Sequence, residues 1–280
     1  MIVDRETNHL YLSALLELYY PSFYKSFKEE LDRYGIVTDF LQDTKDVWSV
    51  DFMPVQIEKD RFVQFVFNPT YLKRKSYKNY ISKPSQICKQ LELNIRTTDI
   101  IADGGNVVKV KNKAIMTNRV VEDNPHYSSE EDLVNTIKDL LEIDELILIP
   151  VEPDDYTGHS DGMLRFLDEN TVLLNDYSKA KDQGFVLELK NRLHNAGLDI
   201  IEVPSTILQN SSLWDATGAY INFLQMDGII FLPIFNRPED NQVIKLFESL
   251  FSDTTIVPID STELSIDGGV LNCISWNILK

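Results

Sequence analysis

The stretch "DGGVLNCISWNI", residues 267–278, has the alternating apolar pattern of one β-strand behind two glycines, but a second strand does not follow. Four earlier segments have a similar pattern and continue through a polar turn into a second strand, as a two-stranded ribbon requires. They begin at Asp51, Asp103, His159 and Thr217. The N-terminal run "NHLYLS", residues 8–13, can supply the strand that the last segment lacks. Distant parts of the chain would then pair and close a ring.

Each of these segments follows a helix-like stretch and a short β-rich run, so the same order recurs five times. The helical patterns begin at Pro21, Tyr77, Ser128, Ser178 and Pro238. The β-rich runs are residues 36–40, 95–101, 146–151, 199–204 and 255–260. Local signals support the helices. Ser128 with Glu131 forms a capping box, Gly197 suits a left-handed helix end, Pro238 suits a first helical turn, and Pro84 should interrupt or restart the second helix.

This order predicts an α/β fold made of repeated units of roughly 50 to 60 residues, each too small to bury its own apolar face. No linker separates the units, so we expect one domain over residues 1–280, arranged around a pseudo-symmetry axis. An α+β protein with coincidentally alternating elements is the simpler alternative. A Rossmann-type sheet fits less well, because hairpins follow the helices and no G-x-G-x-x-G motif opens a helix.

Composition narrows the class of partner. The formal net charge of -17 argues against nucleic acid or an anionic membrane, both of which require clustered Lys and Arg. No apolar run approaches the roughly 20 residues needed to cross a bilayer, and the N-terminus lacks a secretory pattern. Two cysteines cannot form a disulfide framework, so a reducing cytoplasm is the expected location. The oligomeric state is not predicted.

The starts of the hairpins should meet near the axis, although they are far apart in sequence. Asp51, Asp103, His159 with Asp161, and Cys273 would then share one pocket. This set suits a guanidinium group, because carboxylates accept its N–H donors in a fork geometry and a thiolate can attack its central carbon. His159 and Asp161 form an H-x-D pair on one predicted strand, so both side chains should lie on the same face and address one ligand together.

The same residues resemble the motifs of the agmatine deiminases and of the bacterial type of peptidylarginine deiminase, within the guanidino-group-modifying enzymes. The similarity involves all five units: "WSVDFMPV" at 48–55, "DGGNVV" at 103–108, "GHSDGMLRF" at 158–166, "GAYINFLQMDGIIFLPIF" at 218–235 and "DGGVLNCIS" at 267–275. The resemblance implies a five-bladed, pseudo-symmetric α/β propeller, the pentein fold. Departures from the family pattern occur beside the candidate aspartate and cysteine. Val50 and Met53 stand where the pattern has Arg and Gly, and Asn272 replaces the His that commonly precedes the cysteine.

The resemblance also implies roles. A guanidinium would lie between Asp51 and Asp161, Cys273 would attack it, and His159 would transfer protons. Asp155 and Trp48 are candidates for holding the second cationic end and the alkyl chain of the substrate, and Gly269 is a further candidate for substrate binding. Asp103 is interpreted as structural, because "DGG" twice marks a tight strand entry, and Cys88 as an inert buried thiol.

The implied activity is hydrolysis of a C–N bond in a small cationic guanidino compound, with no metal or organic cofactor. Agmatine is the leading substrate and would give N-carbamoylputrescine, an intermediate of polyamine and putrescine biosynthesis, and ammonia. A deiminase acting on arginine residues of peptides or proteins is an alternative. An amidinotransferase and a catalytically silent propeller that binds a partner are two others, the latter motivated by the altered "WSVDFMPV" motif.

Overall fold

The structure is a computed structural model of the 280-residue chain and describes residues 1–73, 79–210, 212 and 214–280. Its strands form five separate three-stranded sheets. The strands are β1 His9–Ser13, β2 Val37–Leu41, β3 Val55–Glu58, β4 Arg61–Val66, β5 Ile95–Ile101, β6 Val108–Val110, β7 Lys113–Thr117, β8 Glu145–Ile149, β9 Leu164–Phe166, β10 Thr171–Asn175, β11 Asp199–Val203, β12 Leu224–Met226, β13 Ile229–Ile234, β14 Thr255–Asp260 and β15 Ser275–Ile278.

The five sheets share one topology. In each, the middle strand pairs antiparallel with one neighbour and parallel with the other, and the strand orders are β3-β4-β5, β6-β7-β8, β9-β10-β11, β12-β13-β14 and β15-β1-β2. The last sheet joins the two ends of the sequence, with His9 opposite Ile278 and Leu12 opposite Ser275. The predicted pairing of "NHLYLS" with the C-terminal strand is therefore confirmed.

A helix connects the two parallel strands of each sheet, because parallel strands cannot be joined by a tight turn. The helices are α1 Leu16–Tyr19, α2 Pro21–Arg33, α3 Ser49–Phe52, α4 Pro84–Gln90, α5 Arg119–Asp123, α6 Glu130–Leu141, α7 Gln183–Asn195, α8 Asp240–Leu250 and α9 Thr262–Ser265. In α2, Phe23, Phe27 and Leu31 recur every fourth residue and are buried. Phe27 packs edge-on against Phe231 of β13, with ring centroids 5.6 Å apart.

The predicted helix ends are partly confirmed. Pro84 begins α4, whereas Tyr77 lies outside the described residues. Gly197 adopts the expected left-handed conformation after α7, with φ at +70°. Ser129, rather than Ser128, caps α6, since its Oγ accepts the Asp132 N–H at 3.1 Å.

The fifth helix begins later than predicted. Pro238 lies in the turn that precedes α8, and the helix itself starts at Asp240. The Asp240 carboxylate accepts the N–H groups of Phe235 and Arg237, which closes this turn before the helix begins.

A short turn precedes the first strand of every hairpin, and these turns carry the polar residues that matter below. They are α3, the 3₁₀ turns Gly104–Asn106 and Ser160–Gly162, the bend at Asn222, and the turn at residues 271–274. The repeated fold thus presents five short polar segments at equivalent places in five sheets. Among the described residues, no helix combines the length and apolarity that a bilayer span requires.

Candidate active site

A cavity of about 420 Å³ collects the residues predicted from the sequence. Its wall includes all seven of them, namely Trp48, Asp51, Asp155, His159, Asp161, Gly269 and Cys273. They come from three different hairpin starts and the loops that lead to them. The structure therefore brings together the whole predicted set, while the role of each residue remains a prediction.

Cys273 lies in the turn that precedes β15, not inside a strand as its sequence context suggested. The turn is fixed by two hydrogen bonds. The backbone N–H of Cys273 donates to Asn222 Oδ1 at 3.2 Å, and its carbonyl accepts the N–H of Val50 at 3.2 Å. Its Sγ lies 3.8 Å from Asp161 Oδ2, so the thiol and this carboxylate face the same space.

His159 and Asp161 also do not lie on a strand, and the expectation that strand alternation aligns them is wrong. His159 precedes the 3₁₀ turn that contains Asp161, and Gly158 before it has φ at +73°. Asp155 closes this loop, since its two carboxylate oxygens accept the N–H groups of Thr157 and Gly158, each at 2.9 Å. The tight loop, rather than a pleated strand, directs both side chains to the cavity.

The His159 imidazole is buried between two carboxylates. Its Nε2 lies 3.0 Å from Asp103 Oδ2, and its Nδ1 lies 3.5 Å from Asp51 Oδ1. Asp103 also accepts the Tyr71 hydroxyl at 2.9 Å. The interpretation of Asp103 as a purely structural residue is therefore incomplete, because its carboxylate holds one face of the imidazole.

These neighbours decide the protonation of the site. Burial alone would lower the pKa of the imidazole, but the carboxylates of Asp51, Asp103 and Asp161 outweigh it and raise the pKa to about 10. The imidazole is therefore a cation at neutral pH and can donate a proton.

Burial raises the pKa of both Asp51 and Asp161, although the imidazolium opposes this. Burial, reinforced by the charges of these two carboxylates, also holds the pKa of Cys273 well above its usual range. Before a ligand enters, the sulfur is therefore a thiol and not a thiolate.

Asp51 has an unused acceptor. Its side chain is only 10% exposed, and its Oδ1 receives no hydrogen bond from any residue that the structure describes. A buried carboxylate oxygen without a donor is costly.

Two glycines let the backbone approach these groups closely. A Cβ atom on Gly269 would lie 2.5 Å from Cζ3 of Trp48 and 2.9 Å from Cβ of Cys273. A Cβ atom on Gly105 would lie 2.5 Å from Asp51 Oδ1. Both distances are shorter than non-bonded atoms tolerate, so the packing around Asp51 and Cys273 requires glycine at both positions.

The cavity wall is strongly acidic and partly aromatic. Eight carboxylates line it against two cations, Lys181 and the His159 imidazolium; the eight are Asp46, Asp51, Glu152, Asp154, Asp155, Asp161, Asp215 and Asp267. Tyr156 and Trp214 lie against each other, with ring centroids 3.9 Å apart. Such a wall favours an organic cation. Among the described residues, no group of three or more His, Cys, Asp or Glu side chains is arranged to hold a metal ion.

Sequence reasoning missed several residues of this site. Asn222 and Asn272 both donate to Asp161, and Tyr71, Tyr156 and Trp214 contribute to the surroundings of the cavity. Asn222 lies in one of the recognised motifs, so its position between Asp161 and Cys273 could have been suspected. Tyr156 directly follows the predicted Asp155, whereas Tyr71 and Trp214 lie outside the recognised motifs and carry no comparable signal.

The sequence matches the family described as Porphyromonas-type peptidyl-arginine deiminase over residues 13–278. An agmatine deiminase of Pseudomonas aeruginosa is 25% identical over 212 residues, which are 64% of this chain and 57% of that protein. An agmatine deiminase of Pseudomonas putida is 26% identical over 205 residues, covering 63% and 54%. The match thus spans little more than half of the length of these curated relatives.

Solved structures of agmatine deiminases share the fold. The enzyme of C. jejuni superimposes with a TM-score of 0.80 at 19% identity, covering 100% of this chain and 95% of that chain. The enzyme of Enterococcus faecalis gives a TM-score of 0.75 at 15% identity, covering 100% and 95%. At these low sequence identities, the similarity is one of fold, namely the mixed α/β architecture.

Proposed function

The chain belongs to the Porphyromonas-type peptidyl-arginine deiminase family, and from that premise we propose that it is a deiminase that hydrolyses a C–N bond of a small guanidino compound. One observation carries the proposal. The Cys273 sulfur lies 3.8 Å from a carboxylate oxygen of Asp161 in a cavity that also contains an imidazole flanked by two carboxylates.

In the proposed first step, the guanidinium binds between Asp51 and Asp161. The N–H donors of the substrate would bind carboxylate oxygens of Asp51 and Asp161, which both line the cavity. The positive charge of the substrate would also offset the two carboxylates that raise the pKa of Cys273, so that the thiol releases its proton to solvent and becomes a thiolate on binding. The nucleophile would thus form where and when the substrate is present.

The thiolate of Cys273 then attacks the central carbon and forms a C–S bond. The tetrahedral adduct expels one nitrogen as ammonia, with a proton from the His159 imidazolium, and leaves a thiouronium on the sulfur. Neutral His159 next takes a proton from water, whose oxygen attacks the same carbon. The C–S bond breaks, the ureido product leaves, and the thiol and imidazolium are restored.

We propose agmatine as the substrate, with N-carbamoylputrescine as the product. The acidic wall suits a ligand with a cation at each end, whereas the α-carboxylate of free arginine would face like charges. Asp155 and Trp48 are the proposed contacts for the second cation and the alkyl chain, together with Gly269, whose missing side chain leaves room for the indole. Asp155 already accepts loop N–H groups, but a carboxylate has further lone pairs.

We further interpret the five sheets as blades of a pseudo-symmetric propeller that forms one catalytic domain over residues 1–280. Their common topology and the pairing of β1 with β15 support this arrangement. The short turns before the five hairpins would then surround the axis and deliver their polar residues to one place.

The test is a colorimetric ureido assay on agmatine, free arginine and a blocked arginyl peptide. We expect product from agmatine with the wild type and none with Cys273→Ala, His159→Ala or Asp161→Ala, each of which should remain folded. Cys88→Ala is the matched control, because this other cysteine is buried in α4 near Gln64, away from the cavity. Product from the peptide instead of agmatine would favour a peptidylarginine deiminase.

A haloacetamidine reagent provides a second measurement. It should label Cys273 in the wild type and in Cys88→Ala, and agmatine should protect against labelling. Turnover that survives loss of Cys273 would refute the mechanism. Absence of both labelling and turnover would favour a silent partner-binding protein.

A further inference from the structure

Asp161 lines two cavities. Besides the large one, it borders a second cavity of about 60 Å³. Val50, Met53 and Asn272, three positions that depart from the family pattern, all line this smaller cavity. These three departures therefore lie around one small cavity that Asp161 also borders.

Two amide groups converge on a single oxygen of that carboxylate. Asn272 Nδ2 donates to Asp161 Oδ2 at 2.7 Å, and Asn222 Nδ2 donates to the same oxygen at 3.2 Å. The other oxygen, Oδ1, receives no hydrogen bond from the described residues. Asp161 is 4% exposed, so its orientation is set by these protein donors and not by bulk water.

We infer that Asn272, together with Asn222, is a positioning residue that holds Asp161 by Oδ2 and leaves Oδ1 free to accept the N–H groups of a guanidinium. This inference rests on the proposed function. Asn222 additionally accepts the N–H of Cys273, so the same amide that holds the carboxylate also holds the backbone of the nucleophile. The carboxylate that binds the substrate and the thiol that attacks it are thereby held in a fixed relative position.

The electrostatics predict in which direction the pKa of Asp161 should change when Asn272 is replaced. Burial raises the pKa of Asp161, and the hydrogen bonds from the two asparagines oppose that effect because they stabilise the ionised form. The charged or titratable groups around this carboxylate are His159, Arg165, Cys273 and Asp51. Removing the Asn272 amide should leave Asp161 protonated up to a higher pH, and a protonated carboxyl cannot bind a cation.

The decisive variant is Asn272→Leu, which has a similar volume and no donor. Loss of a hydrogen bond to a charged group should lower kcat/KM for agmatine roughly 10- to 100-fold. The acid limb of its pH profile should move to higher pH. Asn272→His restores an N–H donor and should recover most of the activity, whereas a purely packing role predicts that leucine performs at least as well as histidine.

Asn277→Leu is the matched control. Asn277 lines the same small cavity, but its amide donates to Thr7 Oγ1 at 2.8 Å and to the Gln225 carbonyl at 3.0 Å, not to Asp161. This variant should leave the acid limb where it is in the wild type. An equal displacement of the limb in both variants would overturn the inference, because the effect would then arise from disturbing the cavity.

Protection of Cys273 by agmatine against alkylation with iodoacetamide separates this inference from the proposed function, since it requires no turnover. Asp161 and Cys273 face the same space, so agmatine bound to Asp161 covers the thiol, and agmatine should protect Cys273 less well in Asn272→Leu than in the wild type. An active wild type with unchanged protection in Asn272→Leu would refute the positioning role. An inactive wild type would instead refute the proposed function.

Discussion

The Asp-Gly-Gly sequence occurs twice, at residues 103–105 and 267–269, and the two copies serve the cavity in different ways. In the first, the aspartate enters the site and binds the His159 imidazole, while in the second the aspartate lines the cavity wall and accepts the Tyr20 hydroxyl at 2.9 Å. The glycines differ as well. Gly268 has φ at +102°, but Gly104 and Gly105 have ordinary backbone angles and are required for space. The same three residues thus occupy equivalent positions in two repeat units but have different functions.

The largest effect is expected for Gly104→Ala in the first Asp-Gly-Gly copy. The new Cβ would lie 2.0 Å from the Val50 carbonyl oxygen, which is backbone and cannot rotate away. We expect a loss of about 3 kcal/mol in the free energy of unfolding, measured by urea denaturation. Gly162→Ala is the control for stability, since its Cβ would meet nothing within 4 Å. Equal stability of the two variants would contradict the close approach of Gly104 to Val50.

Replacing each aspartate in turn by asparagine tests the difference between the two Asp-Gly-Gly copies. Asp103→Asn removes one of the charges that raise the pKa of His159 to about 10. The pKa of the imidazole should fall, so the alkaline limb of kcat/KM should move to lower pH, and kcat should drop roughly 100-fold.

Asp267→Asn should leave the alkaline limb in place and cost less activity, because Asp267 has no contact with the imidazole among the described hydrogen bonds. Matching pH profiles for the two variants would mean that the two aspartates do not differ in function.

The smallest effect is expected for Tyr20→Phe, which removes the hydroxyl that Asp267 accepts. One hydrogen bond is worth about 1 kcal/mol, so the melting temperature should fall slightly. The pH dependence of turnover should not change, since the imidazole keeps both of its carboxylates. A displaced limb would show that the second copy is coupled to the proton donor after all.

Much of the architecture could be predicted because hydrophobic alternation and helical periodicity repeat along the chain. Residues 95–101 and 255–260 become β5 and β14 with the predicted bounds. The pairing of β1 with β15 was also accessible, since a half hairpin needs a partner. The short turns could not be predicted, because a single turn of helix at Asp51 or Asp161 is shorter than any periodic signal.

The residues that form the site could likewise be predicted from the motifs, whereas the hydrogen bonds between them could not. The motifs indicated that Asp51, His159, Asp161 and Cys273 meet, and all four line one cavity. Which carboxylate contacts the imidazole depends on side-chain directions set by Gly105 and the turn after Asp103. Such directions arise from tertiary packing, and sequence spacing does not encode them.

The union of β1 with β15 has a consequence for how the protein folds. Sheets such as β6-β7-β8 consist of neighbouring segments and can form early, but the sheet that follows Cys273 must first bring together strands separated by almost the whole sequence. Closing so long a loop is entropically costly and slow compared with local pairing. We therefore expect the thiol to be aligned with its partners only after β1 and β15 have paired.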